Sequence, residues 1–162
     1  MPDVRITGGC QCGAVRYAMH TPPTDCLICY CRMCQKQFGN IFGAFAAVER
    51  KDFEITRGKL GRWKSSDIGV RTFCADCGTP MGWDSLDPSR TNTWVSLGSL
   101  DNVEAVRPLA QWGGEARPSW VDEVIAMPVG ITGGGDAAGY RDADRIHPRT
   151  HPDHDTEYWP PK

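Results

Sequence analysis

Eight cysteines fall in three tight groups, Cys10-Gln11-Cys12, Cys26-x-x-Cys29-x-Cys31-x-x-Cys34 and Cys74-x-x-Cys77-Gly78. Closely spaced soft ligands are how a sequence builds a metal site, and a chain that ties separate segments to one ion is restricted in how it can fold. Disulfides are the rival reading. The N-terminal MPDVRITGG lacks the apolar core of a signal peptide, and no stretch approaches the roughly 18 apolar residues of a membrane span. A cytoplasmic location is therefore expected, where thiols stay reduced and C-x-C and C-x-x-C pairs serve as zinc clamps or redox centres.

With 162 residues, 40% of them hydrophobic, the chain is long enough for one domain with its own core. A formal net charge of -2 gives no footprint for nucleic acid or an anionic membrane, so a small-molecule partner is expected. The 18 glycines and 12 prolines punctuate short segments rich in β-branched and aromatic residues, which predicts a mainly β fold. Strands are predicted at Ala14–Met19, Gly43–Val48, Phe53–Arg57, Gly61–Ser65, Val70–Phe73, Met81–Trp83 and Thr93–Leu97. One short helix is predicted over Cys31–Phe38, stopped by Gly39-Asn40. Residues 1–128 read as the zinc-binding domain. Residues 129–162, rich in Gly, Pro, His and Asp, read as a tail, with Gly133-Gly134-Gly135 as a hinge. Tyr158 and Trp159 are expected to pack on the domain or on a neighbouring subunit, which leaves a homo-oligomer open.

Spacing also divides the ligands. In an extended segment residues i and i+2 share a face, so Cys10 and Cys12 present two sulfurs together. Cys74 and Cys77 form a turn in which Gly78 permits a left-handed backbone. The four make a closed, structural tetrahedron. Cys29, Cys31 and Cys34 offer three thiolates from a strand end and a first helical turn, leaving one position open, as a catalytic zinc needs. Cys26 lies one C-x-x-C step earlier. If it closes the second site, both zincs are structural, and spacing alone allows either arrangement.

Gly8-Gly9-Cys10-Gln11-Cys12-Gly13-Ala14-Val15-Arg16-Tyr17, then Cys29-Tyr30-Cys31-Arg32-Met33-Cys34, then Phe73-Cys74-Ala75-Asp76-Cys77-Gly78-Thr79-Pro80 resemble, in order, the signatures of the glutathione-dependent formaldehyde-activating enzyme family, which also includes centromere protein V. The resemblance spans about residues 6 to 128, with Arg107-Pro108 and Pro118-Ser119-Trp120 similar to the family's closing segment. It implies a β-tent fold of small antiparallel sheets with few helices, and two zincs. The structural zinc falls to Cys10, Cys12, Cys74 and Cys77, the catalytic one to Cys29, Cys31 and Cys34. It further implies a carbon-sulfur lyase of the S-(hydroxymethyl)glutathione synthase type, acting on glutathione and formaldehyde. The alternative is a non-catalytic, zinc-stabilised scaffold. The chain departs from the family pattern at Tyr30, where the family usually carries a histidine, and at Cys26, an extra thiol.

Other residues carry two readings each. Arg62, Lys64 and Arg71 either meet substrate carboxylates or form a solvated strand face. Trp63, Trp83, Trp94, Trp112 and Trp120 line an apolar pocket or, as expected of aromatics in a small domain, pack the core. His20 reads as a loop residue. His147, His151 and His154 are separated by prolines that deny them a common helical face, so a third metal site is not expected there. Tyr17, Tyr30 and Asp76 are proton-donor candidates without a placement.

Overall fold

The computed structural model of the protein describes residues 5–124, 126–129 and 147–159. It is mainly β, as expected, and all eight cysteines are free thiols. The strands are β1 (Ile6–Gly9), β2 (Arg16–Met19), β3 (Asp25–Cys29), β4 (Gly43–Glu49), β5 (Phe53–Arg57), β6 (Gly61–Ser66), β7 (Gly69–Phe73), β8 (Pro80–Ser85), β9 (Asn92–Ser96) and β10 (Ala110–Trp112). The helices are α1 (Arg32–Phe38) and the single turn α2 (Val121–Val124). Strands β1-β2-β5 form one sheet, and β10-β3-β4-β9-β8-β7-β6 form another. All pairings are antiparallel except β10 with β3.

The seven predicted strands are present, with ends that move by one or two residues. Ala14 and Val15 instead belong to the turn leaving the first cysteine pair, and Leu97 opens a 3₁₀ turn. Strands β1, β3 and β10 lie outside the predicted set: glycines break the pattern of β-formers in β1 and cysteines in β3, and β10 is only the three residues Ala110–Trp112. Cys31 is the N-cap of α1 rather than a helical residue, and Gly39 closes the helix in a left-handed conformation.

Register decides which side chains share a face. Directly opposed residues lie on the same side of a sheet. The chain of partners Cys26, Ala46, Val95, Gly82 and Thr72 therefore defines one face. This is the core face: Cys26, Ala46, Val48 and Val95 pack with Tyr17 and Met19 of the smaller sheet and with Leu97, Leu100 and Val106. Burying a side chain such as Val48, Val95 or Met19 contributes about 1.5–3 kcal/mol. The other face carries Trp63, Arg71, Trp83 and Trp94 as consecutive partners across β6, β7, β8 and β9. It continues to Ala47 and, two residues along, to Phe45. Cys29, on the alternation of Leu27 and Asp25, shares this face, as does its partner Trp112. Helix α1 packs here, with Phe38 edge-on to Phe45 at 5.3 Å.

The tryptophans do not fill the core. Trp63, Trp112 and Trp120 are 62%, 63% and 45% exposed, which corrects the packing expectation for these three. Trp63 and Trp112 lie on β6 and β10, the two terminal strands, where the sheet covers them from one side only.

Residues 147–159 lie against the domain. The His151 N–H donates to the Gln11 carbonyl (2.7 Å), and its ring stacks edge-on to Trp159 at 4.9 Å. Arg57 donates to the Thr156 carbonyl, and Asp155 accepts from Arg16 and pairs with Arg5 at 2.8 Å. Gly13, at φ +75°, makes room: a Cβ there would stand 2.3 Å from His151 Cδ2 and 2.4 Å from Trp159 Cδ1. The glycine triplet at 133–135 lies outside the described residues.

Candidate metal centres

The structure gathers cysteines into two clusters, Cys10, Cys12, Cys74, Cys77 and Cys29, Cys31, Cys34, each with its sulfurs within 4.8 Å of one another. Among the described residues no other group of three His, Cys, Asp or Glu converges; His151 is buried against Gln11 and Gly13 but is a member of neither cluster.

In the four-sulfur cluster, Cys10 and Cys12 come together through a turn, not the extended segment expected from their spacing. The Gly13 N–H donates to the Cys10 carbonyl and the Cys10 N–H to the Val15 carbonyl, both at 3.0 Å. The Val15 N–H points at Cys10 Sγ (3.2 Å). Cys74 and Cys77 sit on a second turn, where the Gly78 N–H donates to the Cys74 carbonyl (2.9 Å) and Gly78 takes φ +77°. Thr79, which sequence reasoning missed, joins the halves: its Oγ1 accepts from the Gln11 N–H at 3.0 Å and lies 3.1 Å from Cys77 Sγ. The Cys10–Cys12 and Cys12–Cys74 sulfurs are 3.6 and 3.8 Å apart. A tetrahedral zinc with Zn–S bonds near 2.3 Å needs sulfurs about 3.8 Å apart, and a disulfide needs about 2.05 Å, so the donor set fits zinc.

The three-sulfur cluster is built from the end of β3 (Cys29), the N-cap of α1 (Cys31) and the first turn of α1 (Cys34). Strand β10 and the loop after it brace this corner. The Tyr30 N–H donates to the Trp112 carbonyl (2.8 Å), and Gln35 Nε2 donates to the Ala116 carbonyl (2.9 Å). Gly113, at φ +70°, passes so close that a Cβ would stand 2.6 Å from the Cys31 nitrogen. Tyr30 is buried against Phe42 at 5.8 Å and under the Arg117 guanidinium. It serves packing, and Tyr17 is likewise a core residue bonded to Ser99. Cys26 is not among the converging sulfurs; it lies in the core cluster on the opposite face.

Arg71 is the second residue whose place sequence did not reveal. It is 5% exposed, not part of a solvated strand face, and its Nη2 donates to Cys34 Sγ at 3.4 Å. Arg62 and Lys64 do face solvent, each beside an aspartate, Asp84 and Asp67. In a flat sheet β7 would stand about 19 Å from β3. Helix α1, packed on that face through Phe38 and Phe45, carries Cys34 to Arg71.

As thiols the cysteines are not equivalent. Burial raises Cys34 to about 12, against the pull of the Arg71 guanidinium, and burial likewise raises Cys29. Burial acts to raise Cys31 too, but the N–H groups of Cys34 and Met33 and the neighbouring thiols lower it overall. Cys12 is pushed up to about 12 by burial, whereas at Cys77 hydrogen bonds from Thr79 and Cys12 outweigh burial and bring the thiol down to about 6. Each cluster thus holds one sulfur, Cys31 or Cys77, shifted toward the thiolate, the form that binds metal.

The chain is 26% identical over 108 residues to an uncharacterized lyase of Schizosaccharomyces pombe, covering 64% of this chain and 74% of that protein. A crystal structure of a Rhodobacter sphaeroides protein aligns with 65% of this chain and 98% of its own, at 23% identity and a TM-score of 0.49. Residues 5–113 match the profile of the glutathione-dependent formaldehyde-activating enzymes, a span that includes both sulfur clusters, and the chain belongs to that family.

Proposed function

We propose that the protein is a zinc-dependent carbon-sulfur lyase-type enzyme acting on a thiol-aldehyde adduct, with glutathione plus formaldehyde giving S-(hydroxymethyl)glutathione as its reaction. In this reading Cys10, Cys12, Cys74 and Cys77 hold a structural zinc, and Cys29, Cys31 and Cys34 hold a catalytic one. The observation that carries it is the three-sulfur set, to which no fourth His, Cys, Asp or Glu converges among the described residues. A zinc there would hold a thiol as thiolate at neutral pH and offer positive charge to a developing oxyanion.

The chain's own residues do the positioning. The β10 loop and α1 fix the three ligands, and Trp83 and Trp94 lie half-buried on the same sheet face. In the bond-forming step the thiolate sulfur joins the carbonyl carbon, the C=O π pair moves to oxygen, and oxygen takes up a proton equivalent to the one the thiol lost. No net oxidation occurs. A reducing cytoplasm, where these thiols stay free and glutathione is abundant, suits the proposal. No described helix is long and apolar enough to cross a membrane.

The test is two-dimensional exchange NMR on glutathione and formaldehyde at equilibrium, comparing zinc-loaded protein, Cys31→Ser and buffer. Exchange accelerated only by the intact protein supports the reaction. Equal rates in all three, at high protein concentration, sink it and favour a zinc-stabilised scaffold.

A further inference from the structure

We propose that Arg71 is a positioning residue of the three-sulfur centre: its guanidinium donates to Cys34 and supplies the positive charge that offsets the net negative charge of three thiolates around a dication. This rests on the reading of Cys29, Cys31 and Cys34 as a metal site.

Arg71 is 5% exposed, and leaving a buried guanidinium without a counter-charge costs several kcal/mol. Among the described residues it makes no ion pair, and its one hydrogen bond goes to Cys34 Sγ. A neutral thiol is a poor partner for a buried cation. A metal-bound thiolate is a good one, and the charges then close: three thiolates and a dication sum to -1, and Arg71 brings the total to zero. The residue is also held in place, because its direct partners on β6 and β8 are Trp63 and Trp83. Among the described residues no cationic side chain donates to the four-sulfur cluster, whose sulfur-directed contacts include the Val15 N–H and Thr79. Two centres in one chain thus differ in both ligand number and charge environment. Arginine's planar fork, which a lysine cannot reproduce, keeps an N–H on the sulfur while the charge stays put.

The test uses the full chain loaded with cobalt(II), whose thiolate charge-transfer absorption reports on each sulfur. The wild-type chain is expected to bind two cobalt ions. In Arg71→Met, the absorption of one site should move to longer wavelength, because its sulfur loses an N–H and a nearby positive charge. That site's affinity should also fall about 10- to 100-fold, while the other site stays unchanged. Arg71→Lys should recover part of the affinity but not the band position. If Arg71→Met does not fold, Arg71→Lys carries the test. Wild-type spectrum and affinity in the folded variants would overturn the inference alone. A wild-type chain that binds one cobalt overturns both the inference and the reading beneath it.

Discussion

Cys26 and Cys29 stand three residues apart on β3 and point to opposite faces of the seven-stranded sheet. Cys26 is 4% exposed among core side chains, while Cys29 ends the strand on the face that carries α1. The sheet itself therefore separates the extra thiol from the other three. Cys26→Ala should keep two zincs per chain and lose about 1 kcal/mol of stability, the cost of a small cavity. Metal content by elemental analysis and a denaturant titration measure both, and loss of one zinc would show that Cys26 is a ligand after all.

The sequence carried the two clusters because each lies within short, regular spacings, and spacing survives an error about local geometry. Cys10 and Cys12 converge through a turn, not a strand, yet the same two sulfurs meet. The ambiguity at Cys26 was resolvable in principle: once Asp25–Cys29 is read as a strand, period two places Cys26 and Cys29 apart. Thr79 and Arg71 were not legible, since their partners Gln11 and Cys34 lie 68 and 37 residues away and only tertiary folding joins them. Trp63 and Trp112 look like core residues by composition, and only the strand order reveals that they sit on sheet edges.

Gly13 adopts φ +75° directly beneath His151 and Trp159, so Gly13→Ala combines an unfavourable backbone with a clash on two rings. The variant should lose about 2 kcal/mol and release residues 147–159 from the domain. Hydrogen exchange is the direct readout. Protection of 147–159 equal to that of the wild type would mean the segment is held by other contacts.

His151 should make that docking pH-dependent. Its Nδ1 donates to the Pro152 carbonyl (2.7 Å), so Nε2 is left to accept from Thr156 (3.0 Å), with the Arg57 guanidinium 3.5 Å away. Burial, followed by the positive charges of Arg16 and Arg57, lowers its pKa from 6.5, against the Pro152 carbonyl and Asp101. With a folded value below the unfolded one, the stabilisation is fully present above 6.5 and is lost as pH falls through the lowered value. The protection factors of 147–159, taken against the intrinsic exchange rate at each pH, should therefore fall as pH drops below 6.5. His151→Gln should flatten that dependence; an unchanged profile in the variant would assign the effect to another group.

Arg16 is a second buried cation, its side chain 3% exposed. It donates to both oxygens of Asp101 (2.7 and 2.5 Å) and to Asp155 (2.9 Å), and Thr7 adds a 2.5 Å bond to Asp101. Burial works to raise both carboxylates, but the hydrogen bonds from Arg16 and its neighbours win and hold each below its ordinary 3.8. Their contribution is thus complete above pH 3.8 and disappears as pH falls through the lowered values. Asp101→Asn leaves Arg16 with Asp155 alone and should cost about 3 kcal/mol at pH 7. The gap to wild type should narrow in acid, because protonation there removes the same charge from the native Asp101. Denaturant midpoints for the two proteins from pH 7 down to pH 2 give the comparison, and a constant difference across that range would rule out the ion pair as its source.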